Sequence, residues 1–500
     1  MALAEVIHSW ARCQPDRVAL RCAGQETIWR RFWNRIERAS ARLVAQWGIA
    51  PGERVAYLGH NSAEELILLF ALARMGAILV PLNYRLAEPE WLQQINHSGA
   101  RVLVVDRVFA QAGGALGRLG GLTVHAAEAL IADPCFERPR FEVQPGDRPV
   151  LLVYTSGTTG RPKGVLHHQD GLLWNAAASI AAHDLVAADH VLTALPLFHV
   201  GGLCIQTIPA LMAGASVTLH ARFDPGQWLE AVRQTRPSLS LMVPATLRAV
   251  IEHPDFAGSS LDSLRLLMAG SSTIALPLLE AFHARGIPVG QVYGATETGP
   301  VSIVLRAPDA KRKAGFAGWN ALHTEVRLLD GDQLPVARGE VGEIWIRGRN
   351  LAQGYWDDPD QGGFQNGWFR SGDLAREDEE GCYEVVGRAK DMIISGGENI
   401  YPAELESILA EHPDVLDAAV VGLEDARWGE SPVAAIVLRA GAAADTAAIL
   451  AALEGRVARF KHPRHVVFVH ALPKNAMGKV QKRDLAVHLK NRLWPTGEPV

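Results

Sequence analysis

The sequence predicts an α/β protein: a large N-terminal domain of two α/β lobes plus an antiparallel β subdomain, followed by a small α+β C-terminal domain. Three observations point there. Short β-rich runs alternate with helical patterns from Arg54 to Tyr293. After Leu322 the texture changes to short strands set between Gly, Asp and Asn turns. A smaller block with its own helix and strands begins after Gly387. At 500 residues the chain is also too long for one ordinary core, so residues 1–389 and 390–500 are read as separate domains.

The start, Met1 to His8, has Glu5 and no basic stretch before its apolar residues, so it reads as an amphipathic helix and not as a signal peptide. Arg54 to Gly59 reads as a strand and Ala63 to Met75 as a helix; Ala77 to Leu82, a helix around Glu88 to Ile95, and Arg101 to Asp106 continue the rhythm of a mostly parallel sheet. A second series runs from Val191 to Tyr293, with strands at Ala215–Leu219, Leu239–Val243 and Leu264–Met268. The simplest arrangement is two lobes dividing near residue 150. Glu325 to Asp332 and Gly342 to Gly348 read as antiparallel strands. In the last block Pro402 to Glu411 is a helix with Pro402 near N1 and Leu405, Ile408 and Leu409 on one face. Ala418–Gly422 and Pro432–Leu438 read as strands, and 441–446 as an exposed loop.

Composition narrows the function. With 49 basic and 54 acidic residues the net charge is −5, too balanced for a nucleic-acid partner. The five cysteines (Cys13, Cys22, Cys135, Cys204, Cys382) form no CxxC, which argues against a disulfide framework or a zinc site and favours a reducing cytoplasm. The longest apolar stretch, Leu66 to Leu82, is broken by Arg74 and ends near Pro81, so stable membrane insertion is not expected.

The strongest local signal is Val153 to Gly164. An apolar run ends in Thr155, Ser156, Gly157, Thr158, Thr159 and Gly160, and the loop closes with Arg161 and Lys163. Glycines let backbone amides approach closely, hydroxyls donate, and Lys163 adds charge; together they can cradle a polyphosphate. This is not a Walker A loop, since Gly164 to His167 reads as returning strand. A polar hairpin turn would need far fewer such residues.

With that loop the chain resembles the adenylate-forming superfamily: acyl- and aryl-CoA synthetases, luciferases and the adenylation domains of peptide synthetases. The resemblance covers nearly the whole chain. Its further motifs are Leu195 to His199, Val292 to Gly299, Trp368 to Asp373, Gly387 to Pro402, and Pro473 to Lys479. It implies an ATP-dependent enzyme that joins a carboxylic acid to coenzyme A through an acyl-adenylate, with Mg2+ as cofactor. Glu297 would be a hard oxygen ligand for the metal, with Thr158 on the same ion. Thr155 to Gly160 and Lys163 would hold the phosphates, and Thr296 would reach the α-phosphate. Gly270, Ser271 and Ser272 would lie along the adenine with Gln291, Tyr293 and Gly294, although the family often has Gly or Ala after that first Gly. Asp373 would accept from both ribose hydroxyls, with Arg388 its partner.

The resemblance also implies a mobile small domain that docks in two orientations with Lys390 as hinge. Lys479 would serve adenylation; the family usually has Thr just before Gly478, where this chain has Met477. The Ser395-Gly396-Gly397 turn would line the pantetheine channel in the second orientation. Trp428, Phe460 and Arg464 match positions that hold the coenzyme A nucleotide in the aryl-CoA ligase branch. As isolated residues they read equally as core aromatics and a solvated cation.

The resemblance implies an acyl pocket between His199, Val200 and Gly201 on one side and Gly270 with Gly294, Ala295, Gly299 and Pro300 on the other. Amino-acid-activating relatives place an Asp where this chain has His199, and malonate-activating relatives an Arg where it has Val292. An uncharged-tail fatty or aromatic monocarboxylic acid is therefore favoured. The alternatives are an acyl-AMP ligase loading a carrier protein, a luciferase-like oxygenase, an o-succinylbenzoate or dicarboxylate-type CoA ligase, and a non-catalytic nucleotide binder. No carrier domain follows Lys479, and Glu297, Asp373, Arg388 and Lys479 are all in place. A homodimer is left open.

Overall fold

The computed structural model describes residues 2–132, 141–155, 162–270, 274–358, 361–425, 427–474 and 478–494. Among these residues four sheets carry the fold. One contains, in order, Gly354–Tyr355, Lys163–His168, Pro149–Thr155, Ile78–Pro81, Arg54–Leu58, Val102–Val105 and Thr123–Ala126. The strands from Pro149 to Ala126 in that order are mutually parallel. A longer sheet places Val289–Tyr293, Leu266–Gly270, Leu239–Met242, His190–Thr193 and Ser216–Leu219 side by side and parallel. The antiparallel sheet expected after Leu322 pairs Thr324–Leu329, Gly342–Gly348 and Trp368–Glu377, with Tyr383–Arg388 beside the last.

The division near residue 150 needs correction. Pro149–Thr155 and Lys163–His168 lie in the first sheet, whereas the early hairpin Val18–Cys22 and Gln25–Ile28 extends the second through parallel pairing of Leu20 with Val217. The two lobes therefore exchange chain segments. Leu264 and Arg265 also fall outside their strand, which runs Leu266–Gly270.

Packed on the first sheet and on the helix Trp29–Ala45 lies Ala63–Met75, buried on nearly every face, as expected of a helix apolar all round. The Ser62 hydroxyl caps its start by accepting from the Glu65 amide at 3.1 Å, and Gly76 closes it at φ +74°. Burial of each large aliphatic side chain here stabilises by about 1.5–3 kcal/mol. The last block has the sheet Glu398–Ile400, Ile393–Ser395, Gly429–Leu438 and Val415–Asp425, with His465–Phe468 parallel to the third strand. Pro402–Ala410 and Lys482–Leu493 pack on its two faces. No helix among the described residues is long and apolar enough to cross a membrane.

Candidate active site

Parallel strands deliver their carboxyl ends to one edge, and ligand sites in open α/β sheets form there. Thr155 ends one strand, Gly270 a second, and Tyr293 a third, just before Gly294. The Thr155 hydroxyl reaches the Lys163 carbonyl at 3.5 Å across the hairpin. Ser156, Gly157, Thr158, Thr159 and Gly160, and likewise Ser271 and Ser272, lie outside the described residues.

Glu297 sits in the turn Thr296–Thr298, with Thr296 buried beside it. The Tyr355 hydroxyl donates to Glu297 Oε1 at 2.8 Å. Lys163 stands 4.7 Å from the Tyr355 ring centre and 3.0 Å from the Asp358 carboxylate. Burial pushes the Glu297 carboxyl above its ordinary range. Its own backbone amide, the Tyr355 hydroxyl and Arg388 oppose that rise, and the Asp373 carboxylate adds to it.

Asp373 and Arg388 are directly opposite on neighbouring strands, and Arg388 Nε lies 3.0 Å from Asp373 Oδ1. The Tyr293 hydroxyl donates to Asp373 Oδ2 at 2.8 Å, and burial with the nearby carboxylate raises the phenol well above its ordinary pKa, so it stays a donor. Gln291 is nearly buried on the same strand as Tyr293, yet its Nε2 has no partner among the described residues. Gln291 is the middle residue of that strand, and a free amide N–H of this kind is a fitting donor for a purine ring nitrogen.

Lys479 enters from the small domain. Burial and the Arg388 charge lower its ammonium pKa, while Asp373 and Glu297 pull it back up, which places all four groups within one electrostatic neighbourhood. Burial, with Lys479 adding like charge, pushes His199 down to about 4, so the imidazole is neutral near pH 7. Its Nδ1 accepts from the Gly201 amide at 3.0 Å, leaving Nε2 as the protonated donor.

Close packing shapes the expected acyl pocket. A Cβ on Gly294 would stand 1.7 Å from the Pro300 carbonyl oxygen, and one on Gly270 would stand 2.6 Å from that of Val292. Gly299 takes φ +97°. Val200 and Pro300 are buried, and Ala295 and Gly201 are partly so. Val292 joins the apolar core.

Three residues that the sequence reading missed hold these loops. Asn61 Nδ2 donates to the Leu195 and His220 carbonyls at 2.9 and 3.0 Å, and its Oδ1 accepts from the Leu197 amide at 2.8 Å. Asn175 donates to the Cys204 carbonyl at 2.7 Å and accepts from the Val301 amide at 3.0 Å. Asn350 donates to the Thr298 and Val301 carbonyls. Tyr355 and Asp358 were missed as well. Asn61 and Asn350 lie outside helices and strands, while Asn175 lies within the helix Gln169–His183 and Tyr355 in the short strand Gly354–Tyr355. A single polar residue adds no periodicity, so only partners far along the chain mark them.

In the small domain Ser395 is the last residue of its strand, and Gly396 and Gly397 make the turn at φ +62° and +88°. The Gly396 amide donates to the Trp428 carbonyl at 2.8 Å, and Arg464 lies 5.3 Å from the Trp428 ring centre. Phe460 is 48% exposed on the turn Arg459–Lys461, and no ring contact among the described residues joins it to Trp428. Lys390 is exposed in the turn Ala389–Asp391.

A family model described as "AMP-binding enzyme" matches residues 7–356, and one described as "AMP-binding enzyme C-terminal domain" matches residues 404–479. The chain is 44% identical to an indoleacetate–CoA ligase from Aromatoleum aromaticum, over 97% of this chain and 98% of the relative. It is 40% identical to a feruloyl-CoA synthase from Amycolatopsis, over 95% and 96%. The solved structure of the o-succinylbenzoate coenzyme A synthetase of Bacillus subtilis with ATP and magnesium ion superposes with a TM-score of 0.87 at 31% identity, covering 96% of this chain and 98% of that one.

Proposed function

The chain belongs to the AMP-binding enzyme family as an AMP-forming acid–thiol ligase, and from that premise we propose that its substrate is an aromatic monocarboxylic acid with an uncharged tail. It uses ATP, Mg2+ and coenzyme A. The observation that carries the substrate reading is the wall behind His199: Val200 to Ala213 holds no charged residue. An unpaired carboxylate buried there would cost several kcal/mol. Tyr84 meets Phe198 edge-on at 5.3 Å and His60 at 4.8 Å, an aromatic group directly beside His199. The two relatives most alike in sequence reported above act, by their names, on indoleacetate and a feruloyl group.

In the first half-reaction a carboxylate oxygen of the acid attacks the α-phosphorus, a C–O–P anhydride forms and pyrophosphate leaves. In the second, the coenzyme A sulfur attacks the acyl carbon and AMP leaves. Glu297, with Thr158, would hold Mg2+, which when bound neutralises phosphate charge. Lys479 brings its ammonium to the charge that develops on the α-phosphate. Asp373 and Arg388 orient the ribose, and Gln291 and Tyr293 the adenine. Neutral His199 orients the substrate carboxylate through Nε2–H without adding a charge. Residues 1–389 and 390–500 act as two bodies joined at Lys390, and Ser395 to Gly397 with Trp428, Arg464 and Phe460 serve coenzyme A.

The test is AMP release with coenzyme A over a panel of acids. Phenylacetate, indole-3-acetate and ferulate should exceed malonate and succinate in kcat/KM by orders of magnitude. If a dicarboxylate leads, the reading of the pocket is wrong.

A further inference from the structure

One helical run forms the wall behind the imidazole: a turn at Val200–Gly202, a π-helical turn at Leu203–Thr207, and an α segment at Ile208–Ala213. Single π turns within helices are frequent at functional sites. Within this one almost every polar group is satisfied by protein. The Thr207 hydroxyl donates to the Gly202 carbonyl at 2.6 Å and lies 2.8 Å from the Thr193 hydroxyl. The Cys204 carbonyl accepts from Asn175, and the Ile205 carbonyl from Ser179.

Gln206 is the exception. It is 2% exposed, and neither Oε1 nor Nε2 has a hydrogen-bond partner among the described residues. An orphaned buried amide carries an uncompensated desolvation cost, and a leucine of similar size would remove it. In a turn whose Thr207 hydroxyl is fully bonded, the unsatisfied Gln206 amide is a group that a ligand can satisfy. Its position suits this. Gln206 lies seven residues beyond His199, which is about 10 Å along a helix axis, a span comparable with a bicyclic aryl acid whose carboxylate rests at His199.

A primary amide presents an acceptor oxygen and two donor hydrogens. It complements a ring N–H or a phenolic O–H and has nothing to offer a hydrocarbon edge. We propose that Gln206 is a specificity-determining residue that reads a hydrogen-bonding heteroatom at the far end of the aromatic acid. This rests on the aromatic-acid reading of the pocket given above. The heteroatom N–H or O–H donates to Oε1, and Nε2–H donates to a substrate oxygen where one is present.

The experiment compares matched acids on the whole enzyme: indole-3-acetate against benzothiophene-3-acetate, and 4-hydroxycinnamate against cinnamate. A site built to bond a heteroatom hydrogen discriminates strongly against the analogue that lacks it. The wild type should favour the N–H or O–H member of at least one pair by on the order of 10²-fold in kcat/KM. Gln206→Leu should collapse that ratio from both sides, lowering turnover of the favoured member and raising that of its analogue. Its thermal midpoint should be no lower than the wild type's. Gln206→Met, which keeps the side-chain length, serves if the leucine variant does not fold. A wild type that uses both members of each pair equally overturns the proposal while the aromatic reading stands. So does a preference that survives in the variants. If the enzyme ignores all four acids and activates hexanoate, the aromatic reading itself fails and the role of Gln206 with it.

Discussion

Burial drives the Glu297 carboxyl toward its neutral form, while the Tyr355 hydroxyl at 2.8 Å holds it back. A carboxylate must shed its proton to hold a cation, so in the proposed role of Glu297 as metal ligand protons and Mg2+ would compete for this group. The sign follows from the raised pKa. In the metal-free enzyme Glu297 stabilises the fold below its ordinary pKa, and that contribution is lost as pH rises through the folded value. A bound Mg2+ in the proposed site would reverse the order, because a cation favours the charged form. Removing the Tyr355 bond takes away one of the influences that lower the pKa. Tyr355→Phe should therefore raise the Mg2+ concentration needed for half-maximal adenylation, and the defect should grow as pH falls from neutral. Glu297→Gln should lose ~10²–10³-fold in acyl-AMP formation with its fold intact. A Tyr355→Phe variant with an unaltered Mg2+ requirement at every pH would show that this hydrogen bond does not act on a metal ligand.

At the scale of elements, loops on opposite lobes are held together by buried amides. Asn61 leaves the end of Arg54–Leu58 and ties Leu195 and Leu197 in place, 134 and 136 residues away. Those two residues lead directly into His199. The loop that bears the imidazole is therefore positioned by the neighbouring lobe as well as by its own local bonds. Asn61→Ala would strand two carbonyls and an amide, and each unsatisfied buried group costs about 1–3 kcal/mol. A fall in thermal midpoint is expected, together with a loss in kcat larger than any rise in KM for ATP, because His199 shifts while the nucleotide contacts do not. If ATP KM rises as steeply as kcat falls, the loop does not act through His199.

For the whole molecule the telling group is Lys479, which the small domain inserts beside Arg388, Asp373 and Glu297 of the large one. Arg439 reaches Glu252 at 3.3 Å in the same interface. The Ser395–Gly397 turn packs instead on Trp428 of its own domain. On the proposed roles this arrangement is the one for adenylation, and the proposed second arrangement turns the small domain about Lys390. Lys479→Ala should lose ~10²-fold or more in acyl-AMP synthesis. Given synthetic acyl-AMP and coenzyme A, it should make thioester at close to the normal rate. Lys390→Pro should do the reverse, since proline restricts the backbone rotation a hinge needs. Single-turnover assays of each half-reaction check both. Equal slowing of both steps by Lys479→Ala would mean that the small domain does not alternate.

The sequence by itself determined what depends on near neighbours. The helix Ala63–Met75 has the bounds its periodicity implies, and the strand–loop–strand around Thr155 and Lys163 follows from apolar runs flanking a glycine-rich turn. The reaction class was legible for the same reason, since each motif is a short run of residue types. Tertiary structure decided what depends on distant partners. It sent Val18–Ile28 to the far sheet, because an unpaired strand edge closes wherever a parallel neighbour is available. It set Tyr355 on Glu297 across 58 residues and left Phe460 exposed while gathering Trp428, Arg464 and Gly396. It also withheld every protein partner from Gln206 among the described residues. Hydrogen-bond satisfaction is a property of the packed interior, where water is excluded and only the fold decides which groups meet.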